Sequence, residues 1–228
     1  MMWSLSPPPG FRCLDAEGPL KIYHRYLPHW RQDGATYFVT LRLADSLPQS
    51  KLDELREMRD ALSRRHSQSL STPQLEHVLR EMMRKAERWL DQSYGKRWIR
   101  NPSARKILED RMLSSHRTTC DLGAFVIMPN HGHVIVRPAD PGETPLELVL
   151  GRWKGASACD INKLFGFSGP LWRQESFDRI IRDEEHLWNC LQYLGDNPRR
   201  AGLKPHEYSL WLNPGWEKLG WQFVTEQW

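Results

Sequence analysis

Apolar and polar residues first alternate regularly at Ala35–Leu43, where Tyr37, Val39, Leu41 and Leu43 interleave with Thr36, Phe38, Thr40 and Arg42. That period of two predicts a strand with one face in the core. The period then lengthens. Lys51–His66 places Leu52, Leu55, Met58 or Arg59, and Leu62 at helical spacing, and Thr72-Pro73 offers an N-cap and first turn to a second helix. That helix carries Leu75, Val78, Leu79, Met82, Met83, Ala86, Trp89 and Leu90, and after Gly95 and Pro102 a third helix over Ser103–Ser115 turns Ile107, Leu108 and Met112 inward. Thr119–Met128 and His131–Arg137 predict two adjacent strands joined through Pro129-Asn130. A helix starting near Thr144-Pro145, with Pro145 at N1, follows; then come a strand over Leu171–Ile181 and a last helix N-capped by Asp183. The order β-α-β-β-α-β-α predicts an α+β fold, an antiparallel sheet with helices on one face.

Outside these elements, residues 1–34 are rich in proline and turn residues and are expected to form an extended arm. Residues 35–203 hold the domain, with 46–119 a helical elaboration after the first strand, and the Trp-rich stretch 204–228 is expected to wrap it. A chain of 228 residues is long enough to bury a proper core. Its four cysteines have no C-x-x-C spacing, so neither a zinc ribbon nor a disulfide framework is indicated. No leader-like start and no apolar run of membrane-spanning length occur, and a cytoplasmic, nucleoid-associated protein with no membrane contact is the expectation.

Net charge is +4, with a pI near 8.9, which permits a nucleic-acid partner without requiring one. Eleven tryptophans are many for this length. Trp30, Trp98, Trp153 and Trp172 have basic neighbours, an arrangement that can stack unpaired bases or simply pack.

The stretch that carries chemistry is Val126–Val136. If Val134 and Val136 point one way, His131, His133 and Ile135 point the other, and two imidazoles roughly 6–7 Å apart at Cα can converge on one divalent ion. Hydrogen bonding to neighbours is the alternative use of such a face. On the last helix Leu187, Leu191 and Leu194 form an apolar stripe, while His186, Asn189, Tyr193 and Asn197 form a second that can face the histidines.

Met128-Pro129-Asn130-His131-Gly132-His133, followed by Leu191-Gln192-Tyr193-Leu194-Gly195-Asp196-Asn197-Pro198-Arg199-Arg200, resembles the signature of the single-tyrosine HUH transposases. Within them it resembles the insertion-sequence 200-like family, especially its branch of REP-associated tyrosine transposases. Tyr37–Pro48, Trp98–Pro102 and Ser168–Arg179 extend the resemblance to about Tyr37–Leu203. Gly132 departs from it, standing where the family has a bulky apolar residue.

The resemblance implies a ferredoxin-like βαββαβα fold and a DNA strand nickase and joiner. Tyr193 would be the nucleophile that forms a 5′-phosphotyrosine link. His131 and His133 would hold Mg²⁺ or Mn²⁺, with Asn197 one turn after Tyr193 as third ligand. Because Asn197 precedes a proline, it reads equally as the N-cap of a following short helix. The implied partner is single-stranded or hairpin DNA, bound by a monomer or homodimer through Arg152, Lys154, Arg173, Arg199 and Arg200. Two other readings stand beside this one: a domesticated, non-catalytic single-strand binder of the same fold, and a metal-dependent phosphohydrolase that uses water.

Overall fold

The computed structural model describes residues 5–25, 28–66 and 72–224. Side chains in and beside the link between the first two helices, Leu62, Leu75, Val78 and Leu79 among them, lie outside the described residues, as does Tyr26. Strands β1 (Lys21–His24) and β2 (Pro28–Arg31) pair as a hairpin. The main sheet is built from β3 (Tyr37–Arg42), β4 (Cys120–Ile127), β5 (His131–Pro138), β6 (Phe177–Ile180) and β7 (Ser209–Leu212). Its order is β6-β3-β5-β4-β7, every pair antiparallel. The helices are α1 (Gln49–His66), α2 (Thr72–Leu90), α3 (Pro102–Ser115), α4 (Leu146–Phe165), α5 (Glu184–Arg200) and the single turn α6 (Pro214–Glu217).

The central strands β3, β4 and β5 are buried on both faces, so alternation sorts their side chains into two cores. Tyr37, Val39, Leu41, Phe125, Val134 and Val136 meet α3 and α4 on one face. Phe38, Ala124, Val126 and Ile135 meet Leu187, Cys190, Leu191 and Leu194 of α5 on the other. The α+β class with an antiparallel sheet is thus observed, but the expectation that all helices share one face is corrected. An amphipathic stripe shows that a helix buries a face without showing which side of the sheet receives it.

Helix α3 belongs to the main core, while α1 and α2 form a smaller cluster of their own with Phe177. Asn101 caps α3, its side chain accepting from Ser103 N at 2.9 Å and Ala104 N at 3.2 Å. Asp183 caps α5 as expected, accepting from His186 N at 2.6 Å. Pro145 lies one position earlier than expected, at the N-cap of α4 rather than N1.

Three further features depart from the expectations. The arm carries a hairpin. The strand expected over Leu171–Ile181 is reduced to a Leu43–Trp172 bridge and β6, because the chain between them turns the Arg173 and Gln174 carbonyls toward the Lys154 ammonium. The stretch after residue 203 also does more than wrap: β7 adds a fifth strand beside β4, and Trp216 and Trp221 enter the α5-side core. Trp216 lies over Gly123 at the β4 bulge, where a Cβ would meet its ring at 2.1 Å, so only glycine fits. The indole N–H groups of Trp216 and Trp221 donate to Pro9 O at 3.0 Å and Ser6 O at 2.9 Å, tying the two ends of the described chain together.

Candidate active site between β5 and α5

Register sets the site. His133 lies opposite Thr40, and His131 opposite Arg42, on the face that α5 covers. The two imidazoles are fully buried, with ring centroids 4.8 Å apart and planes at 77°. Tyr193 descends from α5 with its ring 5.2 Å from that of His133 and 5.9 Å from that of Phe38. Gly132, between the histidines, faces the opposite core, where a Cβ would lie 3.2 Å from the Val126 carbonyl.

Each histidine is held through Nδ1. His131 Nδ1 lies 2.7 Å from Asn130 Oδ1, and His133 Nδ1 lies 2.9 Å from Thr40 Oγ1. The Asn130 amide is oriented in turn, its Nδ2 donating to Tyr94 O at 3.1 Å and Leu90 O at 3.4 Å at the end of α2. With its NH₂ so used, Asn130 can offer His131 only an acceptor, which places the imidazole proton on Nδ1 and leaves the Nε2 lone pair free. Burial pushes the His131 pKa down to about 3 and, joined by His131, Arg179 and Arg200, holds His133 well below the usual range. Both rings are therefore neutral, the form that ligates a metal.

His131 Nε2, His133 Nε2, Tyr193 Oη and both amide atoms of Asn197 are all buried without a hydrogen-bond partner. Buried polar atoms are nearly always satisfied, so five unsatisfied ones on two facing elements mark a place built for something else. Asn197 is fully buried inside α5, which runs on through Pro198 to Arg200. The cap reading fails, because the helix does not restart and the Asn197 side chain bonds no backbone N–H. Among the described residues no three His, Cys, Asp or Glu side chains gather as a metal site, so the donors at hand are two imidazoles and an amide oxygen. That set fits a divalent ion whose shell is completed by phosphate oxygens or water.

The expected polar stripe on α5 is only half correct. Asn189 is exposed, and His186 instead takes a hydrogen bond from Arg182 N at 3.2 Å. Arg200 does reach the site: its guanidinium lies 5.4 Å above the Tyr193 ring, anchored by Asp91 Oδ2 at 2.9 Å. Arg199 bonds Asp196 at 2.6 Å on the exposed side of α5. Arg152 and Lys154 stand on α4, across the sheet from the histidines, and the Lys154 ammonium donates to Arg173 O, Gln174 O and Ser176 Oγ. Arg173 borders the same side as His131, beside Arg42.

The sequence reading missed the contribution of α2 and the turn that follows it. Glu87 and Asp91, one turn apart, both act on Tyr193. Burial, then these two carboxylates, push the Tyr193 pKa far above that of an ordinary phenol, while Arg200 and the neighbouring Asn197 pull it back. No local signal separates Glu87 and Asp91 from other charges on an amphipathic helix.

Among the described residues no helix is long and apolar enough to cross a membrane. No protein-family model matches the chain, and no curated protein matches it. One solved structure, a REP-associated tyrosine transposase bound to a REP hairpin, is similar over 80% of this chain and 74% of that one, with 16% identity and a TM-score of 0.43.

Proposed function

We propose that this protein is a metal-dependent nuclease and strand transferase of the single-tyrosine HUH kind, acting on single-stranded or hairpin DNA through Tyr193. One observation carries the reading: the unpartnered buried atoms of His131, His133, Tyr193 and Asn197 between β5 and α5. His131 Nε2, His133 Nε2 and Asn197 Oδ1 would hold Mg²⁺ or Mn²⁺, which when bound draws charge from the scissile phosphate.

Tyr193 Oη attacks phosphorus and releases its proton to solvent. The phosphorus–O3′ bond breaks and the departing oxygen takes a proton from water, leaving a 5′-phosphotyrosine and a free 3′ hydroxyl. Attack on that link by another 3′ hydroxyl returns the phenol, so joining needs no nucleotide cofactor. Until DNA arrives, burial and the Glu87 and Asp91 carboxylates keep Tyr193 protonated. Arg200 above its ring stabilises negative charge as it develops on the phenol oxygen. Arg173, Arg199 and Arg200 are the cations of the earlier set that lie on or border the α5 side of the sheet, whereas Arg152 and Lys154 would serve only DNA that passes round the edge.

The test uses single-stranded hairpin DNA from the flanks of the gene, labelled at either end, with Mn²⁺. A denaturing gel should show a protein adduct carrying the fragment 3′ of the cut, mapped by mass spectrometry to Tyr193. Tyr193→Phe and chelator should each abolish it, the substitution by at least ~10³-fold, while Tyr193→Phe still binds DNA. Binding with no adduct under either metal would instead identify a non-catalytic single-strand binder.

A further inference from the structure

One row of side chains on the α5 face remains unexplained. The antiparallel bridge between Leu43 and Trp172 puts both of those residues in the α4-side core, so Arg42 and Arg173, which flank the bridge, stand together on the opposite face. Their backbones are joined by Arg173 N donating to Arg42 O at 2.9 Å. On its other side Arg42 lies opposite His131 in the β3–β5 register. Across three neighbouring segments the row therefore reads Arg173, Arg42, His131.

Like charges directly opposite one another on a sheet are destabilising, and a fold keeps them only against some return. Here no ion pair among the described residues relieves the repulsion. Neither arginine makes an ion pair among the described residues, and Arg42 Nε and Nη1 and Arg173 Nε are buried with no acceptor. The carboxylate that acts on Arg42 is Glu175, whose Oε1 is bonded to His29 Nε2 at 2.9 Å. The Phe177 ring, 5.3 Å from the Arg42 guanidinium, braces it from one side. Burial and the charge of Arg173 depress the Arg42 pKa to about 10, leaving it still a cation at neutral pH. Two neighbouring guanidinium groups with idle N–H donors match the shared oxygens of one phosphodiester, which would cancel the repulsion and satisfy the donors together.

We propose that Arg42 and Arg173 clamp a single backbone phosphate of the DNA strand, next to the His131 end of the active site. This rests on the reading of the site given above and adds Arg42 to it as a residue that contacts DNA.

The experiment measures affinity for a fluorescein-labelled single-stranded oligonucleotide against salt concentration, in chelator, and melting of the free protein. Arg42→Gln, Arg173→Gln and the double variant should each bind about 10-fold more weakly at moderate salt, and each should lower the salt slope by about 0.7, the share of one phosphate. A slope loss of about 1.4 in the double variant would mean two separate phosphates and overturn the clamp. In the free protein either single variant should melt higher than wild type, because repulsion is relieved. A lower melting temperature with unchanged DNA affinity would make the pair structural and sink the proposal. Arg173→Gln lies in the irregular stretch before β6 and serves if Arg42→Gln does not fold. The Tyr193 adduct is scored separately. Slope loss without adduct in wild type keeps the clamp and rejects the nuclease; an adduct with an unchanged slope rejects the clamp.

Discussion

Two buried polar clusters face opposite sides of the sheet in this protein, and they are built on opposite terms. On the α4 side, His29 bonds Asp178 Oδ2 at 2.7 Å and Glu175 Oε1 at 2.9 Å, while Arg31 bonds Asp178 and Glu147 at 2.6 Å each, fastening the β1–β2 hairpin to β6 and α4. On the α5 side, His131, His133, Tyr193 and Asn197 each end in an atom that bonds nothing. Both clusters contain buried histidines. Burial alone would lower the pKa of His29, but its two carboxylate bonds raise it to about 9, whereas burial unopposed takes His131 to about 3. Burial of a titratable group therefore does not distinguish a site from a rivet; compensation does. A cluster that closes on itself holds the fold, and one left open awaits a ligand.

The comparison breaks most sharply at Asp178. Asp178→Asn removes the buried carboxylate that His29 and Arg31 share and should cost about 3 kcal/mol of stability by urea denaturation, yet leave the rate of adduct formation per folded molecule within twofold. A matching loss of rate would join the two clusters into one functional unit. Asn130→Ala frees the His131 tautomer and should weaken Mn²⁺ binding, followed by calorimetry, about 10–100-fold. Nitrogen-15 spectra should then show His131 losing its Nδ1-protonated form, and an unchanged tautomer would refute the role given to Asn130.

The third difference lies in pH. Because the folded-state pKa of His29 is raised, its contribution is complete below its unfolded value of about 6.5 and disappears as pH rises through about 9. Melting temperature should fall by about 5 °C across that window, from a loss of about 2 kcal/mol, and His29→Asn should flatten the fall. The smallest effect has the opposite sign. Asn197→Leu removes two orphaned atoms and should stabilise the protein by about 1 kcal/mol while abolishing Mn²⁺ binding. Destabilisation would mean that the amide already has a structural partner.

The centre of this molecule was legible because its signals are local. The period-two run through His131 and His133 fixes which side chains share a face, and the four-residue step from Tyr193 to Asn197 fixes a helix face. The periphery was not. Strand β7, Ser-Leu-Trp-Leu, is half-buried throughout and has no alternation to read. The hairpin looks polar in sequence because its anchors, His29 and Arg31, are buried by pairing rather than by apolarity. Arg42 looked like the solvent side of a strand, and only the register that lays Arg173 against it exposes the clash. The roles of Glu87, Asp91 and Asn130 depend on where the end of α2 comes to rest, which no neighbour in sequence determines.

Helix α5 joins β6 at one edge of the sheet to β7 at the other. Four strand spacings are about 19 Å, and its 17 residues rise about 26 Å, so its length suffices to carry the chain from one edge to the other. On the ribosome, the histidine strand emerges some sixty residues before the tyrosine that faces it, and β7, which completes the sheet, emerges after both. A nascent chain would thus present His131 and His133 well before Tyr193 and Asn197, the residues that face them.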